Sequence, residues 1–254
     1  MLRKGDLTQG GITGTLLHFT LPMMVGSFLQ QCYNIADTLI VGQCIGAGAL
    51  AAVGSAYTLM VFLISVLLGL AMGSGTVFSL HYGAGNHVAL RRSIFSSFVL
   101  IGIVTLILNV AVFIWLDPIL RLLQVPQDIY GMMRSYSWII FCGIVFTFIY
   151  NFYASLLRAV GDSVTPLWFL AVSVVLNIAL DLFFILQLDW GIQGAAAATV
   201  LAQGVAALGI IIYTYRRRPE LRWHHEDMCF DRTCLKDLKS ATSLTKCYRL
   251  KRNV

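Results

Sequence analysis

Charge is what this chain has least of. Of its 254 residues, 12% are Asp, Glu, Lys or Arg and 58% are hydrophobic, whereas a soluble domain carries about 25% charged residues. So little charge cannot coat a water-facing surface, so most of the surface must face lipid. The net charge of +6 is not a nucleic-acid footprint: the excess sits in the C-terminal tail and does not interleave with stacking aromatics, so no nucleic-acid partner is expected. The six cysteines contain no CxxC pair. Cys32, Cys44 and Cys142 lie in or beside apolar stretches, where Cys behaves as a small hydrophobe. His224, His225, Cys229 and Cys234 match no standard zinc spacing. The first apolar run, 15–41, is too long for a signal-peptide core and lacks a small-residue cleavage site.

What is present is long apolar runs. A spanning helix needs about 20 mostly apolar residues, and six stretches qualify: 15–41, 51–80, 93–115, 136–157, 166–186 and 194–215. The expected fold is an all-α integral membrane protein, a six-helix bundle over 1–215 followed by a basic tail, 216–254, without a further span. Lys and Arg assign the orientation. Arg3 and Lys4 precede the first span, Arg91 and Arg92 lie in the second loop, Arg158 in the fourth, and Arg216, Arg217 and Arg218 open the tail. The first loop has no charge, the fifth has only Asp189, and the third mixes Asp117, Arg121, Asp128 and Arg134. Both termini are therefore expected in the cytoplasm of a multi-pass protein of the cell membrane. Trp115, Tyr136, Trp138, Trp168 and Trp190 fall near span ends, as an aromatic belt would.

Two acids interrupt these runs, Asp37 and Asp181. An ionised carboxylate inside a bilayer costs roughly 3 kcal/mol or more, so such residues mark ion or substrate sites by default. Asp37 lies four residues before Val41, Asp181 five before Leu186, and Thr199 five after Gly194. With alternating span directions, all three fall roughly 6–8 Å below the external end, at a rise of about 1.5 Å per residue. Asn177 shares a helical face with Asp181, and Gln30 and Asn34 share one with Asp37. Two carboxylates, amides and a hydroxyl at one level can supply the oxygen-rich shell of a hard cation. If the acids are close, one can instead hold a proton, because like charges and desolvation oppose full ionisation. The plainer alternative is that the acids snorkel to the interface and that Asn177 and Thr199 are helix-packing hydrogen bonds. The matched depth of residues from three spans favours a site.

Small residues fill the last span, including Gly194, Ala195, Ala196, Ala197 and Ala198, and they allow close approach to a neighbour, most simply the fifth span. Pro22 can kink the first span or simply be tolerated there. The fourth span is rich in aromatics: Phe141, Phe146, Phe148, Tyr150, Phe152 and Tyr153. Most should face lipid or neighbouring helices, and a minority could line a path for aromatic or cationic organic compounds.

At these residues the chain resembles the multidrug and toxic compound extrusion (MATE) family of cation-coupled efflux transporters. Five segments carry the resemblance in order: YNIADTLIVG (33–42), GLAMGSGTVFSLHYGAGN (69–86), LLRAVGDSVTP (156–166), NIALD (177–181) and GAAAAT (194–199). The resemblance implies that Asp37, Asn177, Asp181 and Thr199 bind sodium or a proton as coupling ion. Gln30, Asn34, Tyr33 and Asn151 are expected to support that site or line the substrate path. It implies antiport, with an inward ion gradient driving outward movement of organic cations or hydrophobic drug-like compounds, and no cofactor beyond the ion. The family has two six-helix lobes, and this chain resembles only the first. FDRTCLKDLKSAT (230–242) resembles the approach to a second lobe, and SLTKCYRLKRNV (243–254) resembles nothing further in the family. The expectation is therefore a lobe that transports poorly alone unless two copies pair or a separate second half completes it. Two alternatives stay open. One is a non-transporting remnant. The other is an intramembrane aspartyl enzyme, although neither acid lies in a GxGD context and no span offers a His pair or a Ser–His or Ser–Lys arrangement at shared depth.

Overall fold

A computed structural model describes residues 12–222. The His224–Cys234 cluster, the linker-like stretch 230–242 and the terminal stretch 243–254 lie outside the described residues. Within them the chain forms six long helices: α1 (Ile12–Cys44), α2 (Ala47–Gly83), α3 (His87–Leu122), α4 (Gln127–Ala159), α5 (Val164–Leu182) and α6 (Gly191–Arg217). A π-helical turn, Phe183–Gln187, extends α5, and a short 3-10 turn, Pro219–Leu221, follows α6. No strand occurs among the described residues. Helices are the physical requirement here, because hydrocarbon offers no partners for backbone N–H and C=O groups.

The helices α2, α3, α4, α6 and α5 with its π turn are long and apolar enough to cross a membrane by length and composition. Helix α1 is as long as α4, 33 residues, and carries the polar run Gln30, Gln31, Asn34, Asp37 and Gln43. Each expected span lies inside one of these helices, which continue past it at both ends. Hydropathy reads only the hydrocarbon-facing part, whereas backbone hydrogen bonding carries a helix on into the headgroup region. This changes one assignment. Helix α4 begins at Gln127, so Tyr136 lies well inside it, and it is buried (4% exposed) rather than part of the aromatic belt. Trp115, Trp138, Trp168 and Trp190 are exposed, as a belt requires.

Short turns make consecutive helices antiparallel. Between α4 and α5 the chain reverses at Gly161, whose φ of 87° is the left-handed region that favours glycine. The next side chain, Asp162, accepts the backbone N–H of Thr165 at 3.0 Å and its hydroxyl at 2.9 Å, satisfying donors at the start of α5. Arg218, just beyond α6, reaches the same carboxylate at 3.3 Å and Glu220 at 3.7 Å. Burial works against the Arg218 charge, but Asp162 and then Glu220 outweigh it and hold its pKa above the ordinary arginine value.

Helix α4 is the central element and packs against α2, α3 and α6. Phe78, Phe98, Phe148 and Phe152 interlock between α2, α3 and α4, with Phe98 and Phe152 edge to face at 5.2 Å. Deeper along the same contact, Asn109 Nδ2 donates to the Phe141 carbonyl at 2.9 Å. At the far end Arg134 grips Asp117 at 2.9 Å, with the Tyr130 hydroxyl donating to the same carboxylate. The fourth-span aromatics therefore mostly face neighbouring helices. The small residues of α6 do bring it against α5, but its most extensive contact is α4. There Gly143 lets the Val200 side chain sit directly on the α4 backbone. At Gly209 a Cβ would lie 2.7 Å from the Phe169 ring, so the α5–α6 contact is as tight.

Candidate cation site at the floor of a membrane cavity

Three helices deliver the site, and each uses a four-residue step that stacks two polar side chains on one face. Helix α1 presents Tyr33 and Asp37, α5 presents Asn177 and Asp181, and α6 presents Thr199 and Gln203. Helix α5 packs against both α1 and α6, which brings the pairs together. Asp181 and Asn177 are fully buried (0% exposed), Thr199 is 4% exposed and Asp37 is 8% exposed.

The carboxyls of Asp37 and Asp181 lie within hydrogen-bonding reach of one another. Each has one oxygen, Oδ1, buried and without a hydrogen-bond partner. In the amide orientation that satisfies both its atoms, Asn177 Nδ2 donates to Asp181 Oδ2 at 3.1 Å and its oxygen accepts the Thr199 N–H at 3.2 Å. The same amide stands 3.4 Å from Thr199 Oγ1, and the Tyr33 hydroxyl donates to that oxygen at 3.3 Å. Two facing carboxylates with one orphaned oxygen each need a positive charge or a shared proton between them. The orphaned oxygens, an amide and a hydroxyl form a hard, all-oxygen donor set suited to an alkali cation or a proton. No cluster of three or more His, Cys, Asp or Glu side chains that could hold a metal occurs among the described residues.

Asp37 and Thr199 lie on the wall of an open cavity of about 1020 Å³, and Asn177 and Asp181 sit behind that wall. Gln30, Tyr33, Asn34 and Asn151 line the same cavity. Asn34 is not directed at the acids: its Nδ2 donates to Gln31 at 3.1 Å and to the Tyr57 hydroxyl of α2 at 3.3 Å. Asn151 donates along its own helix to the Thr147 carbonyl at 2.8 Å. Asp37 is the single charged side chain among the described cavity-lining residues, which include no Lys, Arg or His. Sequence reasoning missed Tyr136, Tyr57, Thr147 and Gln203, which also line the cavity. Thr147 donates its hydroxyl to Gln203 Oε1, pinning α4 to α6. The step from Thr199 to Gln203 was a readable signal. On α4 the step Thr147, Asn151 and Ser155 was readable as one polar face, but not that Gln203 of α6 would meet Thr147.

Residues 22–183 match the family model described as MatE. Among curated relatives, the probable multidrug resistance protein YpnP of Bacillus subtilis (strain 168) is 36% identical over 217 residues, covering 85% of this chain and 49% of that protein. The multidrug export protein MepA of Staphylococcus saprophyticus is 31% identical over 210 residues, covering 80% of this chain and 45% of the relative. A crystal structure of MATE in the bent conformation superposes with a TM-score of 0.87 at 24% identity, over 98% of this chain and 56% of that one. The chain thus spans about half the length of the curated relatives it matches.

Proposed function

The chain belongs to the MatE family, and from that premise we propose that it is a cation-coupled lobe of a multidrug efflux antiporter. It is a multi-pass membrane protein. Asp37, Asn177, Asp181 and Thr199 bind the coupling ion, sodium or a proton, and Tyr33 supports Thr199. The observation that carries the reading is the facing Asp37–Asp181 pair, each with an orphaned Oδ1, at the floor of a cavity without a basic side chain among its described lining. An ion that neutralises the pair lowers the cost of burying it, and so favours whichever conformation closes around the site. A drug in the cavity favours the conformation that keeps it open. Coupling requires ion and drug to differ in affinity for the two states.

The cavity's single carboxylate, its amides and hydroxyls, and its apolar walls suit hydrophobic or cationic organic compounds. Its membrane is the cell membrane, with both ends of the chain on the cytoplasmic side. Because the chain spans about half the length of those relatives, drug passage is proposed to need a second lobe beside this one. The aspartyl-enzyme alternative falls, since the family is one of transporters, and a fully buried Asp181 leaves no room for a peptide bond.

The test is thermal unfolding of the purified chain in sodium or potassium, beside Asp37→Asn and Asp181→Asn. A ligand that binds the folded state raises its stability by about 2.7 kcal/mol at 100 times its dissociation constant. Stabilisation by sodium but not potassium, lost in both variants, is the expected result for a sodium site. Stability that responds to pH through the same two acids and not to sodium identifies a proton site. Indifference to both ions refutes the reading.

A further inference from the structure

The last two helices share an outer face that neither the cation site nor the core uses. Leu201, Val205, Leu208 and Ile212 recur along α6 at steps of three and four residues, and each is about half exposed, 48–57%. That spacing makes them one stripe facing lipid. Helix α5 packs beside it through Phe169, whose ring meets Gly209 and stands 6.1 Å from the Tyr213 ring. On α5 the neighbouring Trp168 and Val172 are exposed. The cavity-lining residues of both helices, Ser173 and Gln203 among them, occupy the other side. The two exposed rows therefore run side by side as one apolar strip.

Charge collects at the end of that strip where α6 stops. Arg216 follows Ile212 by one four-residue step and is exposed. It lies three residues past Tyr213, which puts it about 4.5 Å further along the axis and close to the level of Trp168. Arg222 turns back onto the same helix end: its Nε donates to the Tyr215 carbonyl at 2.6 Å, the residue just before Arg216. The acids described at this end, Asp162 and Glu220, are both taken by Arg218, at 3.3 Å and 3.7 Å. Arg216 and Arg222 are thus brought together with no acidic partner among the described residues. The carbonyls at the end of α6 favour a cation there, and the Tyr215 carbonyl serves Arg222, but neither neutralises two guanidinium groups.

We propose that this face is a binding site for one anionic phospholipid. An acyl chain lies along the strip, Trp168 stands at the membrane–water boundary as such rings do, and Arg216 and Arg222 hold the headgroup phosphate. The headgroup is a net anion, because a zwitterionic one brings its own cation and leaves the arginine pair uncompensated. Basic groups next to membrane helices attract anionic lipid, with about a fivefold gain in affinity per arginine. The inference stands apart from the cation site, and a chain indifferent to sodium would leave it untouched.

The experiment reconstitutes the purified full chain into vesicles of phosphatidylcholine, alone or mixed with increasing fractions of phosphatidylglycerol, and reads the unfolding midpoint. The variants are Arg216→Gln, Arg222→Gln and the double substitution. Arg217→Gln is the control, since it removes the same charge about 100° round the helix, off the strip. All three positions are exposed, so the variants should fold. We expect phosphatidylglycerol to raise the midpoint. The half-saturating fraction should rise about fivefold in each single variant, the response should vanish in the double variant, and Arg217→Gln should behave as the unsubstituted chain. Equal midpoints in the two kinds of vesicle overturn the inference. An equal loss in Arg217→Gln also overturns it, because the attraction would then be spread over the whole basic end. If inorganic phosphate added to phosphatidylcholine vesicles gives the same rise, the arginines bind a free anion and the lipid assignment falls.

Discussion

Replacing Gly143 by alanine should damage the cation site from the far side of a helix. The added Cβ would strike the Val200 side chain, with Cγ1 at 2.9 Å and Cβ at 3.1 Å from it, both below ordinary van der Waals contact. Val200 is β-branched on a helix and has essentially one favourable χ1, so it cannot swing aside, and α6 must move away from α4. Overpacking of this kind costs about 1–3 kcal/mol, and for a domain of this size each kcal/mol lowers the midpoint by roughly 2–4 °C. A fall of about 2–12 °C is therefore expected. Because Val200 adjoins Thr199, the displacement also carries the hydroxyl away from Asn177 and Tyr33, so sodium should stabilise Gly143→Ala less than the unsubstituted chain. The assay is thermal unfolding in detergent of Gly143→Ala, Val200→Ala and the double variant. Shortening Val200 makes room for the new methyl, so the double variant should be no less stable than Val200→Ala, a coupling of about 1–3 kcal/mol. Additive effects in the double variant, or a Gly143→Ala chain as stable as the original, would refute the claim that this glycine sets the α4–α6 distance.

Two further outcomes follow from the same geometry. Protons and sodium compete for the two carboxylates, so sodium stabilisation should shrink as pH falls, read as the sodium-dependent change in midpoint across a pH series; a shift that grows on acidification would contradict a shared site. At the opposite end of α5, Asp162→Asn keeps the acceptor for the Thr165 N–H but loses the ion pair to Arg218, whereas Asp162→Ala loses both. The partly exposed pair is screened and contributes under about 1 kcal/mol, and the lost acceptor about 1 kcal/mol. Urea or thermal denaturation should rank Asp162→Ala below Asp162→Asn, and equal stabilities would show that the acceptor role is negligible.

The chain's covalent order was enough to establish the membrane environment, the all-helical class and the family. Long apolar runs can satisfy their backbone in lipid only as helices, and four-residue spacings such as Asn177–Asp181 put pairs on one face wherever that helix packs. The matched depths of Asp37, Asp181 and Thr199 were also legible, because rise per residue is a property of the helix alone. Azimuth was not. Which way Asn34 turns, that Tyr136 faces the cavity instead of the headgroups, and that Gln203 meets Thr147 depend on how helices rotate about their own axes when they pack. That rotation is set by contacts distant in sequence, such as Val200 seated on Gly143 and Phe98 against Phe152, and no spacing within one span encodes it. Tertiary packing alone therefore decided that two acids separated by more than half the described chain share one buried site.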